Sequence, residues 1–179
     1  MDQVAGRTGE QRATVGALAP DFTLRDEKER VWRLADQMGN VTVLLFYPQD
    51  ETLVCTRQLC SVRDNWASYL ATRATIVGIS PGSPAEHSAF AQSHRLPISL
   101  LADPERTVTA MFAYHSFLPL SFLRAVVVID AHGIVRNRNV MLRAVRPADD
   151  KLITDIYAAR GDALAEQYRR LAGSFVRTW

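Results

Sequence analysis

The stretch VTVLLFYPQDETLVCTRQLC (residues 41–60) decides how this chain is read. Residues 41–47 form a continuous apolar run rich in β-branched and aromatic side chains, which predicts a short strand buried on both faces. Pro48 has no backbone N–H to give a ladder and ends the strand; QDETLV reads as a loop, and a helix begins at or near Cys55. Cys55, Leu59, Val62, Trp66 and Tyr69 recur at helical spacing, so they line one face of that helix. Cys55 is thereby expected to point inward at a helix N-terminus.

The flanking segments extend the same pattern. ATIVGIS (74–80) predicts a second buried strand, SPAEHSAFAQSH (83–94) a helix with a Ser-Pro start, ISLLAD (98–103) another strand, and Thr107 to Phe112 a short helix. LRAVVVID (123–130) and GIVRNRNV (133–140), joined by Asp-Ala-His-Gly, predict a hairpin whose arginines form a solvated face. From Ala148 onward Leu152, Ile153, Ile156, Tyr157, Leu164, Tyr168, Leu171 and Phe175 keep helical spacing, with Gly161 as a break. Strand-helix units that end in a hairpin and a covering helix predict an α/β fold with a central mixed sheet flanked by helices.

Composition sets wider bounds. The 179 residues suit one domain, and 47% hydrophobic with 22% charged residues is ordinary for a globular chain. Residues 1–15 are polar, small and without periodicity, so they are expected to be a flexible arm before a domain spanning 16–179. A net charge of +2 is too small to suggest nucleic acid as a partner. The first residues lack a basic stretch followed by an apolar one, and no run approaches the roughly 18 apolar residues of a membrane span, so a cytoplasmic protein without a membrane partner is expected. The stripe from Leu164 to Trp179 either completes the core or supplies a dimer contact, which leaves a monomer or a homodimer.

Cys55 and Cys60 are the chain's two cysteines. At a helix N-terminus, unpaired N–H groups and the helix dipole favour a thiolate at Cys55. A free cysteine, with a pKa of about 8.5, is only a few per cent ionised at neutral pH. Lowering that pKa by about 2 to 3 units takes roughly 3 to 4 kcal/mol, whereas a helix end supplies at most about 2, so a cation is expected nearby. Five residues along a helix separate the two Cα atoms by roughly 8 to 9 Å, beyond the span of a disulfide. A bond between the two thiols therefore requires the first turns to unwind. Spacing alone is equally compatible with two inert buried thiols. A zinc site is disfavoured because none of His87, His94, His115 or His132 has ligand spacing to this pair, and no metal or cofactor is implied. A cysteine-histidine hydrolase would need a base that the sequence does not identify.

Pro48, Thr52 and Cys55 make P-x-x-x-T-x-x-C directly after the buried strand, a pattern that resembles the peroxidatic site of the peroxiredoxins. The likeness is to their bacterioferritin-comigratory-protein or PrxQ group, in which a second cysteine five residues on can resolve the first. GALAPDFTLRD (16–26) resembles that family's opening hairpin, residues 76–104 its central segment, and LRAVVVIDAHGIV (123–135) its late strand pair. The resemblance implies a thioredoxin-like (peroxiredoxin) fold and a thiol peroxidase of antioxidant defence that reduces hydrogen peroxide and organic hydroperoxides. It makes Cys55 the peroxidatic cysteine and Cys60 the resolving one, with a Cys55–Cys60 disulfide reduced by thioredoxin or a similar dithiol. By the same resemblance Arg124 is the cation beside Cys55, Thr52 donates a hydroxyl to the peroxide, Pro48 shields the sulfenic acid from water, and the N–H groups of Cys55 and Val54 help bind substrate.

Two positions depart from the family pattern. Leu53 and Val54 stand where Pro-Gly is usual, which makes the loop bulkier and more apolar. Gln58 stands where a glutamate commonly orients the arginine; an amide can accept a hydrogen bond from Arg124 but brings no charge. A redox sensor or relay that passes oxidation to a partner protein is the alternative function. A thiol-disulfide oxidoreductase is disfavoured because such sites normally use Cys-x-x-Cys.

Overall fold

The computed structural model describes residues 12–48, 53–114, 119, 123–142 and 148–161, with only the backbone of 53–56. Its elements in chain order are β1 (Thr23–Asp26), β2 (Val31–Arg33), β3 (Thr42–Phe46), α1 (Leu53–Asp64), α2 (Trp66–Ala71), β4 (Thr75–Ser80), α3 (Pro84–His94), β5 (Ser99–Ala102), α4 (Thr107–Phe112), β6 (Leu123–Ile129), β7 (Val135–Leu142) and α5 (Asp149–Arg160). Among the described residues the strands form one seven-stranded sheet in the order β2-β1-β5-β4-β3-β6-β7. β3, β4 and β5 are parallel neighbours, while β6 joins β3, and β7 joins β6, in antiparallel register. This is the mixed sheet expected from the sequence.

Residues 42–46 are buried on both faces, and the two-residue alternation of a strand shares them between two cores. Val43 and Leu45, with Val126 and Val128 of β6, pack beneath Leu59 and Val62 of α1, Tyr69 of α2, Phe90 of α3 and Ile153 of α5. Leu44 and Phe46 face the other way, against Val108 and Phe112 of α4 and Phe22 and Leu34 near the N-terminus. Gly78 of β4 allows the first layer to close: a Cβ there would lie 2.7 Å from Leu100 Cδ2 and 3.1 Å from Tyr47 Cε1. A side chain at position 78 would have to push Leu100 and Tyr47 aside, so glycine suits the close packing beneath α1.

The predicted elements that fall on the described residues are present, with one correction. The stripe from Cys55 to Tyr69 does not belong to one helix: α1 ends at Asp64, and Asn65 (φ −102, ψ 19) starts α2. The turn keeps Leu59, Val62 and Tyr69 on the same core, which is why the helical period runs through the break. Of the arm expected over residues 1–15, residues 1–11 lie outside the described residues. Ala13 is fully buried and its N–H donates to the Met111 carbonyl at 2.9 Å, so packed chain extends N-terminal to Gly16. α3 begins at the Ser-Pro signal: the Ser83 hydroxyl accepts from the Glu86 N–H, and the Glu86 carboxylate accepts from the Ser83 N–H. α5 stops at Gly161, whose φ of 68 suits glycine at a helix end. The apolar stripe from Leu164 to Trp179 lies outside the described residues.

Candidate functional site

The candidate site lies between the end of β3 and the start of α1. Tyr47 and Pro48 are buried directly after the strand. β6 runs antiparallel beside β3 with Ala125 opposite Phe46, so Arg124, one residue further along, lies level with that end of the sheet. By the two-residue period of a strand its position shares the face of Val126 and Val128, the face that α1 covers. Arg124 is 0% exposed, and its Nη1 donates to Oε1 of Gln58, which is 4% exposed on α1. A buried guanidinium is thus held against α1 by the residue where an amide replaces the usual carboxylate. A cation in this setting requires good partners, because leaving water costs several kcal/mol.

The helix starts two residues earlier than expected, at Leu53, which puts Cys55 in its first turn and Gln58 three residues later. The Gln58–Arg124 bond therefore lies about one helical turn from position 55. Of the expected site residues, Pro48 and Arg124 converge on this strand end. Val54 and Cys55 contribute backbone to the first turn of α1, their side chains lying outside the described residues, as does Thr52 altogether.

Cys60 is a free, half-buried thiol on the same helix. Both cysteine positions belong to α1, so their Cα atoms are separated by helical rise and rotation, roughly 8 to 9 Å. Cys60 faces the end of α3, where its Sγ lies 3.9 Å from Nδ1 of His94. Arg63, one turn beyond Cys60, donates from Nη1 to the His94 carbonyl at 2.8 Å and from Nε to Asp64 at 2.9 Å. The hydrogen bond to Asp64 raises the Arg63 pKa further, and burial only partly opposes it.

The second half of α1 has a further anchor that the sequence did not reveal. Asp149, the first residue of α5, accepts from the Tyr69 hydroxyl at 2.7 Å, from Asn65 Nδ2 at 3.1 Å and from the Ser61 hydroxyl. Hydrogen bonds to a charged group contribute about 1.5 to 3 kcal/mol each when shielded and much less at the exposed Asn65. Asp149→Ala is therefore expected to lower the unfolding free energy by about 2 to 4 kcal/mol, measured as a fall in the urea midpoint with unchanged slope. Deeper in the fold, His87 Nε2 lies 2.7 Å from the Ser80 hydroxyl, and both residues are buried. That pair ties α3 to the end of β4.

Among the described residues no group of three or more His, Cys, Asp or Glu side chains is placed to hold a metal ion. Nor is any helix there long and apolar enough to cross a membrane.

Comparison with known proteins places this geometry in context. Residues 15–138 match the model of the AhpC/TSA family. A chloroplastic peroxiredoxin Q of Triticum aestivum is 36% identical over 126 residues, covering 70% of this chain and 58% of that protein. Peroxiredoxin Bcp of Bacillus subtilis (strain 168) is 38% identical over 98 residues, covering 55% of this chain and 62% of its own length. The match thus spans about three fifths of each of these curated relatives. Among solved structures, peroxidoxin BcpB from Mycobacterium tuberculosis superposes with a TM-score of 0.71 at 29% identity, over 83% of this chain and 99% of that one. That likeness shows the thioredoxin-like peroxiredoxin fold expected from the sequence.

Proposed function

The chain belongs to the AhpC/TSA family, and on that footing we propose that it is a thiol peroxidase that reduces hydrogen peroxide and organic hydroperoxides through Cys55. The observation that carries this reading is the buried Arg124 guanidinium, held by Gln58 about one turn from position 55. It supplies the cation that a helix N-terminus alone could not replace.

The Cys55 thiolate attacks the terminal peroxide oxygen. The O–O bond breaks, the sulfur becomes a sulfenic acid, and the departing alkoxide or hydroxide takes a proton to leave as alcohol or water. Negative charge moves along the S–O–O axis, so donors fixed beforehand along it lower the barrier more than a low thiol pKa, which by itself weakens the nucleophile. Arg124, the Thr52 hydroxyl and the N–H groups of Val54 and Cys55 are that donor set, and Pro48 shields the sulfenic acid. Cys60 then attacks the Cys55 sulfur and expels water, leaving a disulfide that thioredoxin or a similar dithiol reduces.

This second step demands that α1 give way, because its helical geometry keeps the two Cα atoms too far apart. Leu59 and Val62 are buried, and Ser61, Arg63 and Asn65 are tied to α5 and α3. The turns before Gln58 are therefore the part that unwinds, and Cys55 travels toward Cys60.

Intact mass and thiol count before and after one equivalent of peroxide test the scheme. The expected product has lost two hydrogens and both thiols; gain of a single oxygen would mean that Cys60 does not resolve. The redox-relay alternative draws on the uncharged Gln58, which holds Arg124 less firmly than a carboxylate and favours slow turnover. Slow recycling by every dithiol tried, together with a mixed disulfide trapped by Cys60→Ser, would favour the relay.

A further inference from the structure

We propose that His94 is the general base for Cys60, taking its thiol proton as the sulfur attacks oxidised Cys55. The inference rests on the peroxidase reading and assigns a residue to its second step. A resolving cysteine outside the first helical turn gains nothing from the helix N-terminus, so it needs another route to its thiolate. Imidazole is the side chain suited to that exchange at neutral pH.

Two contacts and a backbone turn preorganise the pair. The His94 ring stands edge-on to the buried Phe90 ring, with centroids 4.8 Å apart, one turn earlier on α3. The Arg63 guanidinium holds the His94 carbonyl at 2.8 Å, a cation at the end of α3 where the helix dipole favours one. Arg95, in the left-handed conformation (φ 51), then turns the chain away, so His94 is the last helical residue and its ring stays beside α1. Arg63 and Cys60 are three residues apart on α1, so one contact with α3 sets both the histidine and the thiol. The 3.9 Å between Nδ1 and Sγ is long for proton transfer, as resting-state catalytic contacts often are, and needs a small approach when the reaction begins.

The anchoring of the second half of α1 preserves this contact while Cys55 moves. The step balances: Nδ1 takes the Cys60 proton, the Cys60 sulfur bonds to the Cys55 sulfur, the S–O bond breaks, and the departing hydroxide receives the proton from His94 to leave as water. Two thiol-level sulfurs and one peroxide oxygen become a disulfide and water, with no further reductant or oxidant consumed.

His94→Gln keeps a polar side chain that cannot take up the proton, and stopped-flow oxidation followed by thiol quenching separates the two steps. Oxidation of Cys55 is expected at an unchanged rate, and disulfide formation is expected to slow by about tenfold to a hundredfold. Imidazole added to the buffer should restore part of the loss, which a merely structural role for His94 would not allow. In Cys55→Ser protein, alkylation of Cys60 by iodoacetamide should slow when His94→Gln is added. Unchanged disulfide formation and unchanged alkylation in His94→Gln would overturn the assignment. Failure of peroxide to oxidise Cys55 in the unaltered protein would instead count against the peroxidase reading, and the alkylation comparison would still decide whether His94 activates Cys60.

Discussion

Cys55→Ser is expected to abolish peroxide consumption when thioredoxin and its reductase are supplied, a loss of roughly 10⁴-fold or more in the rate constant for peroxide. The size of the effect follows from the chemistry. A serine hydroxyl stays protonated at neutral pH, and its oxygen cannot be oxidised as sulfur is. Cys60 cannot substitute, because it lies beyond the first turn of α1, where the helix N-terminus gives it no support, and it faces α3 rather than the end of β3. Cys60→Ser should behave differently: the first oxidation proceeds and halts at the sulfenic acid, so one equivalent of peroxide is consumed without turnover. If Cys55→Ser kept its turnover while its far-UV spectrum matched the parent protein, the peroxidase assignment would fall.

What the sequence disclosed and what it hid divide along the range of the interactions. The strand at 42–46, α4 at Thr107–Phe112 and the β6–β7 hairpin are readable because apolar runs and turn residues are local signals. The strand order is not, since nothing in β1 or β5 states that they pair across more than seventy residues. The break at Asn65 was hidden because the turn preserves the apolar stripe on both sides of it. Arg124 and Gln58 could be paired only through the resemblance, which identified both positions; their separation of 66 residues carries no periodic trace. His94 and Asp149 were beyond reach for the same reason. His94 meets Cys60 across 34 residues and Asp149 meets Ser61 across 88, by helix packing that leaves no mark in the spacing. The sequence offers the histidines only as candidate metal ligands, whereas the His94 ring meets the Cys60 thiol and the Phe90 ring.

Arg124→Met is expected to lower the rate constant for peroxide by about 10² to 10³ while the chain still folds. Methionine fills much of the same buried volume, and the stability cost, about 1 to 3 kcal/mol, arises from removing the donor that the buried Gln58 oxygen accepts from. On the peroxidase reading the guanidinium has two roles to distinguish, and pH can separate them. If it serves only to favour the thiolate, its loss returns the Cys55 pKa toward the ordinary value of about 8.5, and raising the pH above that should restore the full rate. If it also stabilises the charge shifting along the S–O–O axis, part of the defect must persist when the thiol is fully ionised. The second outcome is expected, because lowering a thiol pKa alone weakens its nucleophilicity, leaving transition-state stabilisation to supply most of the acceleration. Iodoacetamide alkylation of Cys55 provides the control, since it needs the thiolate but develops no charge on a peroxide. At alkaline pH alkylation should recover in Arg124→Met while peroxide reduction stays slow; recovery of both would reduce Arg124 to a cation that only ionises the thiol.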